Sequence, residues 1–83
     1  MEIFKGETGL DMTWQEKFPS TTECVHCKAR ARIAFVAKEE EEDEWICNLH
    51  NNKEHSRWLH DAGAFAIYLC CECLKPTTLY NQA

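Results

Sequence analysis

Two short cysteine pairs constrain this chain more than anything else in it. Cys24-Val25-His26-Cys27 and Cys70-Cys71-Glu72-Cys73 each set two cysteines three positions apart, in a chain of 83 residues. That length makes one domain. Such a domain buries only roughly 60% of its unfolded surface, so its core is thin. Domains of this size often need a staple, either disulfides or a metal. The six cysteines (the others are Cys47 and Cys71) are enough for either.

The redox compartment separates the two. The opening MEIFKGETGLDMTW has neither the basic start nor the apolar run of roughly 7 to 15 residues that marks an export signal. No stretch approaches the roughly 20 apolar residues of a membrane span. The expectation is a cytoplasmic protein without membrane association, where thiols stay reduced. Clustered cysteines then read as metal ligands rather than as a disulfide framework.

The spacing has a physical reason. Two residues between cysteines let a tight turn bring both sulfurs to one side, where they share a tetrahedral metal at about 2.3 Å each. Amides after the first cysteine can donate to the thiolates. Cys70 and Cys73 have this spacing; Cys71 with Cys73 would need a more strained turn. The expected zinc ligands are Cys24, Cys27, Cys70 and Cys73, with Cys71 as the spare. A rival set replaces the second pair by Cys47-Asn48-Leu49-His50, which follows Cys27 at the usual distance and gives three thiolates and one imidazole. That set leaves Cys70 and Cys73 unexplained. His26, His55 and His60 read as surface residues.

With these pairs flanked by strand-like residues, and with Lys28 and Lys75 close behind to offset thiolate charge, the chain resembles the zinc ribbon class from about residue 22 to residue 79. In that class two C-x2-C knuckles from opposite ends of a small antiparallel sheet close on one zinc. The chain departs from the pattern twice. Its knuckles lack the Pro and Gly of C-P-x-C-G, and 42 residues separate Cys27 from Cys70 where roughly 15 to 20 are usual. Four thiolates also suit iron, but rubredoxin-like sites usually carry Gly after the knuckle, and these knuckles do not.

The expected fold class is small α+β, a zinc-ribbon-like antiparallel sheet with one short helix. Residues 1–21 read as a loosely held N-terminal arm and residues 22–83 as the domain. Thr13-Trp14-Gln15-Glu16 fits a capping box, and Pro19 stops any helix after about one turn. From Lys28 the pattern has period two. Lys28, Arg30 and Arg32 point one way, and Ala29, Ala31, Ile33, Phe35 and Ala37 the other. Further strands are expected around Trp45–Leu49, Phe65–Leu69 and Pro76–Tyr80, with a helix from about Lys53 to Ala62 ending at Gly63. The net charge of −5 is local: without the six acids Glu39 to Glu44, nine basic residues face eight acidic ones. That run reads as a solvated turn that keeps the hairpin edge unpaired.

Nothing in the chain points to catalysis. The expected metal site fills all four positions with sulfur, whereas a catalytic zinc keeps one open. No H-E-x-x-H motif and no Gly-rich phosphate loop are present. The expectation is a non-enzymatic protein-interaction or accessory module with a structural zinc. The alternative is a nucleic-acid-binding zinc ribbon linked to transcription or translation, a role the resemblance implies, with Lys28, Arg30 and Arg32 on phosphates and Trp45 or Tyr80 on bases.

Overall fold

The computed structural model describes residues 1–13, 15–40 and 63–82. They form one antiparallel sheet of five strands: β1 (Glu2–Lys5), β2 (Thr21–Glu23), β3 (Arg30–Lys38), β4 (Gly63–Cys70) and β5 (Pro76–Gln82). β3 is central. One of its edges takes β1 and β2 in succession, and the other takes β4, which carries β5.

The α+β expectation is corrected to mostly β. Among the described residues the one helical element is a 3-10 turn, Gly6–Gly9. The helix expected over Lys53 to Ala62 and the strand over Trp45–Leu49 lie outside the described residues. The capping box read at Thr13 does not form. The Thr13 hydroxyl accepts the amide of Gln15, two residues on, at 3.2 Å. A capping box would need the amide three residues on. The hydroxyl closes a local turn instead.

β3, β4 and β5 formed where strands were expected, with one correction inside β3, and β1 and β2 were not expected. Ile33 lies opposite Tyr68, but Phe35 lies opposite Ile67, so Ala34 is an extra residue in β3. This bulge moves Phe35 and Ala37 to the face opposite Ala31 and Ile33. Val36 takes over the core position and is fully buried. Alternation alone puts all five of Ala29, Ala31, Ile33, Phe35 and Ala37 on one face; a one-residue bulge divides them.

The core lies on the face shared by Ala31, Val36, Ala64, Ala66, Tyr68 and Cys70. The segment between β1 and β2 crosses this face and seals it with Leu10 and Phe18. Tyr68 is fully buried, and its hydroxyl donates to the Pro19 carbonyl at 2.7 Å. Burial raises its pKa, because the interior penalises the phenolate. The crossing is tight at Gly9, where a Cβ would lie 2.5 Å from Phe4 Cβ and 3.0 Å from Val36 Cβ. The first acid of the acidic run is structural: Glu39 is buried, its amide donates to Gly63 O, and its carboxylate accepts the Gly63 amide. No helix among the described residues is long and apolar enough to cross a membrane.

Candidate metal centre

Both knuckles are built the same way from backbone bonds. In the first, the Cys24 amide donates to Ala29 O at 2.8 Å, and the Lys28 amide donates to Cys24 O at 3.1 Å. In the second, the Cys70 amide donates to Lys75 O at 3.1 Å, and the Leu74 amide donates to Cys70 O at 3.2 Å. The turn closes through a left-handed residue after the second cysteine: Lys28 has φ 70° and Leu74 has φ 62°. Glycine takes that conformation without steric cost, and other residues strain to do so. The glycine the sequence lacks is thus replaced by a lysine and a leucine held in its conformation.

Antiparallel pairing of β3 with β4 sets the two knuckles side by side, with Ala31 opposite Cys70. The four Sγ atoms of Cys24, Cys27, Cys70 and Cys73 all lie within 4.8 Å of one another. Cys27 Sγ is 3.4 Å from Cys70 Sγ, and Cys24 Sγ is 3.7 Å from Cys73 Sγ. Sulfurs at about 2.3 Å from a tetrahedral metal lie about 3.8 Å apart, so the cluster is near the right size. All four are free thiols. The donor set therefore fits a structural metal ion bound by four sulfurs.

The sulfurs are not equivalent. Cys24 and Cys70 are buried, Cys73 is half-buried, and Cys27 is exposed. The first cysteine of each knuckle collects amide donors: His26 N at 3.4 Å on Cys24 Sγ, and Glu72 N at 3.3 Å and Cys73 N at 3.4 Å on Cys70 Sγ. Amide donors favour the thiolate. The Cys27 amide, then those of His26 and the neighbouring thiols, bring Cys24 down to about 6 against the opposing effect of burial. The amides of Cys73 and Glu72 lower Cys70 likewise. At Cys27 the Ala29 amide pulls down, but crowding by the Cys70 thiol, burial and the other two thiols push it up to about 12. Without metal, Cys24 gives up its proton well before Cys27 does.

Each knuckle is also tied to the opposite hairpin. The Cys71 amide donates to Arg30 O at 3.1 Å. The Val25 amide donates to the buried Thr77 Oγ1 at 3.2 Å, and His26 Nε2 donates to Pro76 O at 3.2 Å. Thr77 was not singled out in the sequence, since a threonine in a strand carries no signal of this role. Cys71 is exposed and does not belong to the four-sulfur cluster. Lys28 pairs with Glu23 at 3.7 Å on the surface. Cys47, His50, His55 and His60 lie outside the described residues.

No protein-family model matches the chain, nor does any curated protein or any solved structure.

Proposed function

We propose that the protein is a small binding module of zinc-ribbon type, whose sheet is held by one structural zinc at Cys24, Cys27, Cys70 and Cys73. The observation that carries this reading is the four-sulfur cluster, which joins two sequence-distant hairpin ends at the size a tetrahedral metal needs. Zinc is favoured because a closed set of thiolates suits it and structural zinc supplies folding energy to thin domains. With all four positions taken by sulfur, the metal has no site for substrate. The module therefore works by presenting a surface, and it is not an enzyme. Its free thiols suit a reducing compartment such as the cytoplasm.

Native mass spectrometry of the reduced protein, with metal analysis, tests this. The expected result is one zinc per chain and no disulfide. Iron in its place would overturn the metal assignment. A metal-free chain that loses hydrogens in pairs once reductant is withdrawn would overturn the whole reading in favour of disulfides.

A further inference from the structure

The sheet has a second face. On β4 the core takes Ala64, Ala66, Tyr68 and Cys70, so Phe65, Ile67 and Leu69 point the other way. The register extends this face across the sheet. Ala37, Phe65 and Tyr80 form one row, and Lys5, Phe35 and Ile67 the next. Arg32 lies opposite Leu69, and Arg30, two residues before it, has the same orientation. Tyr80 is 39% exposed and Leu69 48%. The Phe65 and Tyr80 rings meet at 5.2 Å and 53°, forming one aromatic ridge.

Charge is segregated here. The chain as a whole is acidic, yet Lys5, Arg30 and Arg32 are all exposed on this face. The acids that alternation places beside them are Glu23 and Glu39. Glu23 is engaged by Lys28, and Glu39 is buried with its carboxylate on the Gly63 amide. Among the described residues the solvent-facing balance of this face is positive. A second copy of this chain would bring three cations against three, so self-association through this face is disfavoured.

We propose that this face docks single-stranded nucleic acid, with bases on the Tyr80–Phe65 ridge and phosphates on Lys5, Arg30 and Arg32. Every base has a π-face, so an aromatic ridge flanked by cations binds single strands without needing sequence-specific hydrogen bonds. A duplex hides those π-faces and offers the face only its phosphates. The proposal rests on the structural-zinc reading in one respect: the metal keeps β3 and β4 in the register that assembles the face.

The experiment is fluorescence anisotropy with a labelled oligothymidine of roughly 12 nucleotides and the reduced, zinc-loaded full chain. Three neutralised phosphates on a single strand give a salt slope of about −2, so raising salt fourfold should weaken binding roughly twentyfold. Arg30→Gln with Arg32→Gln should flatten that slope. Tyr80→Leu should weaken binding about tenfold while keeping the slope, the loss expected from one stacked base. Lys17→Glu, in the segment that crosses the core face, should change neither. Absence of binding at low salt by a zinc-loaded, folded chain overturns the inference. So does equal weakening by Lys17→Glu and the arginine pair, which would mean diffuse charge. Equal binding of polyglutamate would make the partner an acidic protein and also overturn it. Zinc content and circular dichroism are read on every sample. A metal-free chain that still shows the Tyr80 and arginine effects would refute the zinc reading and leave this one standing.

Discussion

The two knuckles share one backbone turn and differ in how each is tied down. The second is the tip of the β4–β5 hairpin, and its cross-hairpin tether is a backbone bond, Cys71 N to Arg30 O. The first follows a strand of three residues, β2, and its tethers use side chains: Thr77 Oγ1 accepts from Val25, and the His26 ring donates to Pro76 O. No substitution that keeps an amide at position 71 can delete the second tether. The first can be removed from β5, about fifty residues away in sequence. A turn built from backbone alone tolerates sequence change, and one held by side chains exposes the metal site to mutations outside it.

The largest expected effect is common to both knuckles. Chelation of the proposed zinc should remove a binding free energy on the order of 10 kcal/mol, more than a thin core can replace. The far-UV circular dichroism of the sheet should collapse, and re-addition of zinc should restore it. Cys24→Ser and Cys70→Ser should do the same, since each removes a buried sulfur together with the acceptor of its amide donors. Cys73→Ser should also lose the metal. A Cys73→Ser protein that keeps its zinc and its sheet would sink the four-sulfur assignment.

The next effect separates the knuckles. Thr77→Val keeps the volume of a buried residue and deletes the acceptor of the Val25 amide. The loss should be about 1 kcal/mol, or a Tm lower by roughly 4 to 8 °C. The informative readout is the rate of zinc transfer to a competing chelator. It should rise in Thr77→Val because the first knuckle opens more often. No change in that rate would mean the Thr77 bond does not restrain the knuckle.

Much of this arrangement was legible in the sequence, for stated reasons. The C-x2-C spacing named the four sulfurs that the fold brings together, since a turn of fixed length has few ways to place two side chains. Period-two alternation located β3 and β4, and β5 was expected as the strand that returns beside them. It failed at Ala34, because a bulge is set by pairing with β4 and leaves no mark in the local pattern. The crossing of residues 6–20 over the core was equally hidden. Leu10 is an ordinary apolar residue until the sheet gives it a face to cover. The helix expected over Lys53 to Ala62 was read from caps and spacing and lies outside the described residues; the capping box read at Thr13 did not form because its hydroxyl found a nearer amide. The tether on Thr77 joins residues 52 apart, and no local rule reaches that far.

A smaller effect tests the strain both turns carry. Lys28→Gly and Leu74→Gly each relieve a side chain held at positive φ, and each should stabilise by about 0.5 to 1 kcal/mol. Leu74 is 76% exposed, so its removal loses little packing. Lys28 gives up its pair with Glu23 as well, a surface contact worth a few tenths of a kcal/mol. The gain should therefore be larger in the second knuckle. A reversed order of Tm shifts would mean that Leu74 has a role its exposure does not reveal.

The smallest effect decides between neighbours in the densest cysteine stretch of the chain. Cys71 occupies the position in its knuckle that Val25 occupies in the first. In both, the residue contributes its amide to the opposite hairpin, and in both the side chain points to solvent. Cys71→Ser keeps that amide and replaces an exposed thiol by an exposed hydroxyl. Stability should stay within about 0.5 kcal/mol of the parent, with one metal still bound per chain. Loss of metal in Cys71→Ser would mean that the second knuckle binds through Cys71, and that the likeness between the knuckles ends at their backbones.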